Sequence, residues 1–311
     1  MSLLIVGTVA FDKIETPLGK TDKILGGAGT YIGIAASYFT DTTNIVSVIG
    51  DDFPDKYHKI LQDHNINTNG IQVVKGGKTF FWEGKYHTDI NSRDTLATEL
   101  NVLADFDPII PDNYQNCEFL MLGNLEPNIQ RKVLKQLKKR PKLVVLDTMN
   151  FWMDIAWDAL METISMVDLL TINDEEARQM SGEYSLVKAA RKILTLGPKY
   201  LIIKKGEHGA LLFDKEENCF FAPALPLEEV FDPTGAGDTF AGGFIGYLTK
   251  TKNLSFENMK RAIIYGSAMA SLTVEKFGTD KIAYLKSKDL NDRIERFKAL
   301  VEVDIKQIDK F

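Results

Sequence analysis

Cysteine is almost missing from this chain: 311 residues hold two, Cys117 and Cys219, too few for a disulfide framework and without metal-ligand spacing. A reducing compartment fits best, with both thiols expected to serve as small buried apolar groups. Long hydrophobic runs are missing too, since no segment approaches the roughly 20 apolar residues of a membrane helix. Residues 1–9 are apolar but lack the basic flank and small-residue cleavage site of a signal peptide, so the expected location is the cytoplasm. Basic charge is in deficit, 37 Lys and Arg against 43 Asp and Glu for a net charge of −6, which leaves no electrostatic footprint for nucleic acid. The sequence shows no repeat, low-complexity tract or linker. What remains, 44% hydrophobic and 26% charged residues, is an ordinary globular composition, long enough for one large domain with a small appendage or for two domains.

Against these absences, buried-strand patterns recur. Leu3 to Gly7, Asn44 to Ile49, Phe119 to Leu122, Leu143 to Asp147 and Tyr200 to Lys204 are short, mostly apolar runs, with helical character between several of them at 53–64 and 127–140. That rhythm predicts a parallel, doubly wound α/β sheet, whose ligands bind beyond the C-terminal ends of the strands. Asp12, Asn124 and the pair Asp147 and Asn150 fall at that end. Residues 65–70 read as a loop. The stretch Thr79 to His87 alternates aromatic and charged residues as a half-exposed strand does.

The chain is organised around Phe231-Asp232-Pro233-Thr234-Gly235-Ala236-Gly237-Asp238-Thr239-Phe240-Ala241-Gly242-Gly243-Phe244. Pro233 holds Asp232 extended, and the glycines let successive backbone N–H groups point to one side just before a helix. Such a turn binds anions, helped by the positive end of the helix dipole. A turn and N-cap alone would explain Gly-Ala-Gly-Asp. Asp238, however, would repel a phosphate unless it takes a proton from a hydroxyl attacking that phosphate, so donors and base together point to phosphoryl transfer to an alcohol.

Almost residue for residue, this string resembles the C-terminal signature of the ribokinase-like (PfkB) family of carbohydrate and nucleoside kinases. Gly26-Gly27-Ala28-Gly29-Thr30-Tyr31 resembles the N-terminal one. The resemblance implies a single ribokinase-like domain over residues 1–311: a doubly wound, mainly parallel sheet flanked by helices, with a small β-sheet lid from about 10–20 and 72–100. It implies Asp238 as the catalytic base and Gly235, Ala236 and Gly237 as the hole for the γ-phosphate of ATP. Asp12, Gly26, Gly27, Tyr31, Phe81 and Asn124 would line the acceptor site. At the position of the family's substrate-contacting asparagine stand Thr30 and Tyr31, a departure that counts against free ribose.

Asn173 and Glu176 have the spacing of a capping box, and also resemble the family's Asn-x-x-Glu element that manages water-held Mg²⁺. By the same resemblance Lys205, Gly206, Gly209 and Thr234 would contact ATP, residues 258–275 would wall the adenine pocket, and Asp232, Thr234 and Gly278 would hold a monovalent cation such as K⁺. Lys85 and Arg93 are candidates to read an anionic group on the substrate. Relatives often dimerise through the lid, so a homodimer is expected. The resulting expectation is an ATP-dependent carbohydrate kinase that phosphorylates a hydroxymethyl group of a sugar. A nucleoside kinase using Phe80, Phe81, Trp82 and Tyr86 as a wall for the base stands second, and a catalytically silent sugar or nucleotide sensor stands third.

Overall fold

A computed structural model describes residues 2–303. The chain begins with β1 (Leu3–Val6), β2 (Ala10–Thr16), β3 (Gly19–Lys20), β4 (Ile24–Gly26), α1 (Ala28–Ser37), β5 (Thr43–Gly50), α2 (Asp55–Asp63) and β6 (Ile66–Val74). Next come β7 (Phe81–Tyr86), β8 (Arg93–Glu99), β9 (Phe119–Leu122), α3 (Pro127–Gln136), β10 (Leu143–Asp147), α4 (Asn150–Ile155) and α5 (Trp157–Ile164). After β11 (Leu169–Asn173), α6 (Asp174–Ser181) and α7 (Leu186–Leu194), β12 (Tyr200–Lys204), β13 (Ala210–Asp214) and β14 (Cys219–Ala222) lead to α8 (Ala236–Thr251), α9 (Phe256–Thr273) and α10 (Ser287–Val301). The expected helical tail reaches Val301; its last part lies outside the described residues.

The main sheet runs β14-β13-β12-β11-β10-β9-β1-β5-β6, parallel from β6 to β12 and antiparallel only at β13 and β14. It is the mainly parallel, doubly wound α/β sheet anticipated above. Apolar residues alternate between its faces with a period of two. Leu4, Val6, Leu120, Leu122, Val144 and Leu146 enter the cluster under α3, α5, α6 and α7, while Leu3, Ile5, Phe119, Met121, Leu143 and Val145 enter the one under α1, α8 and α9. Strands buried on both faces carry few polar residues, which is why the sequence signals them so strongly. From β1 the chain first moves outward to β5 and β6, then returns to β9 on β1's other side. The order therefore reverses at β1, and a crevice opens beyond its C-terminal end.

The smaller sheet, β3-β2-β7-β8 with β4 beside β2, is the small sheet expected as a lid, and the Tyr86 hydroxyl of β7 meets Thr234, just before α8, at 3.1 Å. It differs from the expected one in its bounds. Residues 66–74 form the outer strand of the main sheet, so the loop expected at 65–70, Asn65 excepted, and the lid residues expected at 72–74 belong there, paired in parallel with β5. β4 joins the lid instead. Cys117 is buried as expected, but Cys219 is exposed because β14 is the last strand of the sheet.

α8 lies between α1 and α9, and small residues set both distances. A Cβ on Gly242 would come within 2.5 Å of the Ile32 carbonyl oxygen, and one on Gly266 within 2.7 Å of the Phe240 carbonyl oxygen. Backbone cannot step aside as a side-chain tip can. Gly266→Val is expected to cost about 3 kcal/mol from overpacking, read as a lower midpoint in urea denaturation. Activity should fall further than stability, since Phe240 lies two residues beyond Asp238.

Candidate active site

The loop before α8 is pinned at its root by Asp232. Its Oδ1 accepts the Thr234 N–H at 2.8 Å and its Oδ2 accepts the Gly278 N–H at 2.7 Å, which ties the loop to the segment after α9. Gly235 then takes a left-handed backbone, φ 72°, with the Tyr31 ring flat against it: a Cβ there would meet ring atoms at 2.5 Å. Only glycine fits this turn. No side chain caps α8. Among the described residues the N–H groups of Gly235, Gly237 and Asp238 have no partner, whereas the Ala236 N–H is taken by the Pro233 carbonyl at 3.2 Å. The unpaired donors at the helix mouth thus come from Gly235, Gly237 and Asp238, and Ala236 contributes its place in the turn rather than its N–H.

Three adjacent parallel strands deliver polar groups with their last residues: Asp147 from β10, Asn173 from β11 and Lys204 from β12. The Lys204 ammonium donates to Asp147 Oδ1 at 2.9 Å and stands 3.3 Å from where a Cβ on Gly237 would be. Burial works against its charge, but Asp147, Glu176 and Asp238 together hold its pKa above the ordinary lysine value. Glu176 and Asn173 form a reciprocal capping box, with Glu176 Oε2 accepting the Asn173 N–H at 2.7 Å and Asn173 Oδ1 accepting the Glu176 N–H at 2.8 Å. Burial pushes Glu176 up to about 7. Asp238, in the first turn of α8, is also pushed up to about 7, by burial and then by Asp147, with Lys204 and Arg93 pulling the other way.

Across the crevice Asp12 lies on β2, its carboxylate in the space that a side chain on Gly26 would fill. Burial, then the neighbouring Asp232, raises it to about 7, although the Gly27 N–H offsets part of that. The Tyr31 hydroxyl is fully buried and has no hydrogen-bond partner among the described residues, with Asp12, Asp232 and Asp238 all close enough to raise its pKa. Trp82 pairs with Asp12 in the β2–β7 ladder, and its indole lies across Gly84. Tyr86, further along β7, accepts a hydrogen bond at 3.1 Å from Thr234 Oγ1 in the anion loop.

The remaining expected positions divide. Gly27 sits at the head of α1 with a left-handed φ of 92°, bringing its N–H to Asp12. Phe81 is on the opposite face of β7 from Trp82, in the apolar cluster with Phe11 and Phe53, and the Lys23 ammonium sits 4.5 Å from its ring centre. Asn124 is engaged by the protein itself, accepting the Trp152 indole N–H at 2.8 Å and donating to Met149 Sδ at 3.0 Å. Lys205 does not meet the carboxylates; its ammonium is 5.8 Å from the Phe221 ring centre. Gly206 and Gly209 shape the turn between β12 and β13 with positive φ angles of 53° and 87°. Lys85 is paired with Glu15 at 2.6 Å. Two polar groups near the loop before α8 escaped the sequence reading: Lys204, one residue before the lysine singled out, and the Tyr86 hydroxyl. Strand register would have identified Lys204, since the last inward residue of β12 must face the crevice.

An anion cradle, a lysine beside it and a buried carboxylate at near-neutral pKa define a group-transfer site for phosphate. Among the described residues no three metal-binding side chains converge, so a magnesium ion would keep most of its waters. Lys204 takes Asp147 at 2.9 Å, which leaves Glu176 as the carboxylate that would face such an ion. The site thus describes a phosphotransferase acting on an alcohol. The pfkB family carbohydrate kinase model matches residues 5–284, and the chain belongs to that family of kinases. A cytidine kinase of Thermococcus kodakarensis is 32% identical over 82% of this chain and 91% of its own. Among solved structures, a putative ribokinase II of E. coli in complex with ATP and Mg²⁺ is similar with a TM-score of 0.79, at 19% identity over 95% of this chain and 99% of that one. A Burkholderia thailandensis nucleoside kinase in complex with inosine has a TM-score of 0.75, at 18% identity over 96% and 98%.

Asp12 carries a stability consequence. Its folded pKa of about 7 lies above the roughly 3.9 of an unfolded aspartate, so the folded state holds the proton more tightly. That contribution is fully present below about pH 4 and is lost as pH rises through 7. Asp12→Asn is therefore expected to raise the melting temperature by about 5 °C at pH 8 and to leave it unchanged at pH 4, by differential scanning calorimetry at both pH values.

Proposed function

We propose that this protein is an ATP-dependent nucleoside kinase that phosphorylates the 5′-hydroxymethyl group of a ribonucleoside. The observation that carries the acceptor class is the register of Trp82 beside Asp12: a ribose held on the Asp12 carboxylate has a flat indole next to it, the surface on which a base stacks. A free sugar can also rest its C–H face on an indole, but a base offers the larger flat surface. The sequence alone ranked a sugar ahead of a nucleoside; Trp82 supports the opposite order, and so does the name of the Thermococcus relative.

In this reading Asp12 accepts hydrogen bonds from the ribose hydroxyls and the Tyr31 hydroxyl donates to the acceptor from below. Gly26 leaves room for the carboxylate, and Gly27 orients it. The hydroxymethyl oxygen faces Asp238, which takes the proton as the bond to phosphorus forms. Charge on the transferred group is met by the N–H groups of Gly235, Gly237 and Asp238 and by Lys204, so catalysis consists of positioning and electrostatics. Glu176 would hold magnesium through water, and the ion would supply charge neutralisation on the phosphates. Asp232, with Thr234 and Gly278, fixes the loop and forms the place a monovalent cation such as K⁺ would occupy; the turn of Lys205, Gly206 and Gly209 lies on the nucleotide side.

Incubating the protein with MgATP, KCl and a panel of nucleosides and free sugars, and following ADP release, tests the assignment. Nucleosides should give kcat/KM at least tenfold above ribose; a base-free sugar as the best acceptor would remove the nucleoside class, and no stimulation by any alcohol would remove the kinase. In Asp238→Asn, kcat should fall by about 10²- to 10⁴-fold, the usual share of a general base, while ATP affinity by calorimetry stays within a few-fold. Because the base must be ionised and Asp238 sits near 7, wild-type kcat/KM should fall on the acid side of pH 7 with a slope of at least one, Asp12 and Glu176 titrating in the same range; a flat profile from pH 5.5 to 8 would contradict the role.

A further inference from the structure

Most of the lid's positive charge is spoken for. Lys13 is paired with Glu83 at 2.9 Å, Lys85 with Glu15 at 2.6 Å, and Lys23 sits over the Phe81 ring at 4.5 Å. Arg93, the first residue of β8, makes no ion pair among the described residues. Its placement is specific all the same. It pairs with Tyr86 across the β7–β8 ladder, and its guanidinium lies 5.8 Å from the Trp82 ring centre and beside the Tyr86 hydroxyl. That hydroxyl is the one that receives the Thr234 hydrogen bond at 3.1 Å, so Arg93 is one side chain away from the anion loop. The hairpin tip just before it also touches the nucleotide side: Asn91 Oδ1 is 2.6 Å from where a Cβ on Gly206 would be. Arg93 thus hangs between two points at which the lid rests on the main body. The carboxylates it acts on are Asp238 and Glu176, both at the phosphate end of the crevice.

We propose that Arg93 is the lid's phosphate clamp: its guanidinium forks onto the γ-phosphoryl group of ATP from the side opposite the α8 cradle, rather than reading an anionic group on the acceptor. The planar fork matches two phosphate oxygens, and stacking near Trp82 holds its plane. Electrostatics require such a group. Asp147, Glu176 and Asp238 outnumber Lys204, and a triphosphate entering there adds further negative charge. A cation on the lid makes closure over the acceptor and completion of the phosphate site the same movement, so nucleotide without acceptor meets an incomplete site.

The inference rests on the kinase reading, and the two fail separately. Acceptor-dependent ADP release by the wild type tests the reading, whereas Arg93→Met and Arg93→Lys, each checked for an unchanged melting temperature, test the clamp. The binding readout is calorimetry with ADP and with the β,γ-imido analogue of ATP, each with Mg²⁺ and the best acceptor from the panel. Arg93→Met should bind the imido analogue about tenfold more weakly and ADP as the wild type does. Its kcat should fall about 100-fold with acceptor KM within threefold, Arg93→Lys should recover part of both losses, and added guanidinium should partly restore kcat in Arg93→Met. Equal weakening of both nucleotides, unchanged affinities and kcat, or a rise confined to acceptor KM would each overturn the clamp.

Discussion

Asp147, Glu176 and Asp238 all act on the single ammonium group of Lys204 where β10, β11 and β12 end, and the rest of the site is arranged around that imbalance. Lys204 holds Asp147 at 2.9 Å, so one negative charge is neutralised within the protein. Glu176 and Asp238 are left desolvated without a full partner, and both respond by keeping their protons to about pH 7. A buried carboxylate in that condition is costly to ionise and correspondingly ready to take a proton back. The same excess of negative charge would repel a polyphosphate, and the molecule answers with donors that carry no formal charge: the open N–H groups at the mouth of α8. Their orientation is set by Asp232 at the base of the loop and by Tyr31 beneath Gly235.

That arrangement is expensive in packing, and the cost explains the small residues of α8. The helix must run close to both α1 and α9 to bring its N-terminus to the crevice, and glycines at 242 and 266 permit the approach. The short apolar strands of the main sheet, buried on both faces, supply the stability against which several ionisable groups are held in dry surroundings. Structure far from the site is therefore part of its chemistry.

The main sheet was legible because its central strands are nearly uninterrupted apolar runs, and the anion loop because its spacing of Pro, Gly and Asp has few structural uses. The outer strand β6 was not legible. Its polar Ile66-Asn67-Thr68-Asn69-Gly70 start looks like a loop, and only pairing with β5 makes it extended. The site was read to within a residue or two and no better. Lys204 and Lys205 are neighbours in sequence, yet Lys204 ends β12 beside Asp147 while Lys205, in the turn that follows, lies near Phe221, and where the strand ends is a tertiary fact. Trp82 and Phe81 pose the same problem. Asn124 was drawn from its place at a strand end, but the indole of Trp152 uses its oxygen, a contact between segments that no local pattern announces.

The contact between Asn91 and the turn at Gly206 braces the small sheet against the main body at a second point, apart from the hydrogen bond between Thr234 and Tyr86. One fastening is at the tip of the β7–β8 hairpin and the other at the end of β7, so a change at either alters how the small sheet sits over both the loop before α8 and the turn after β12.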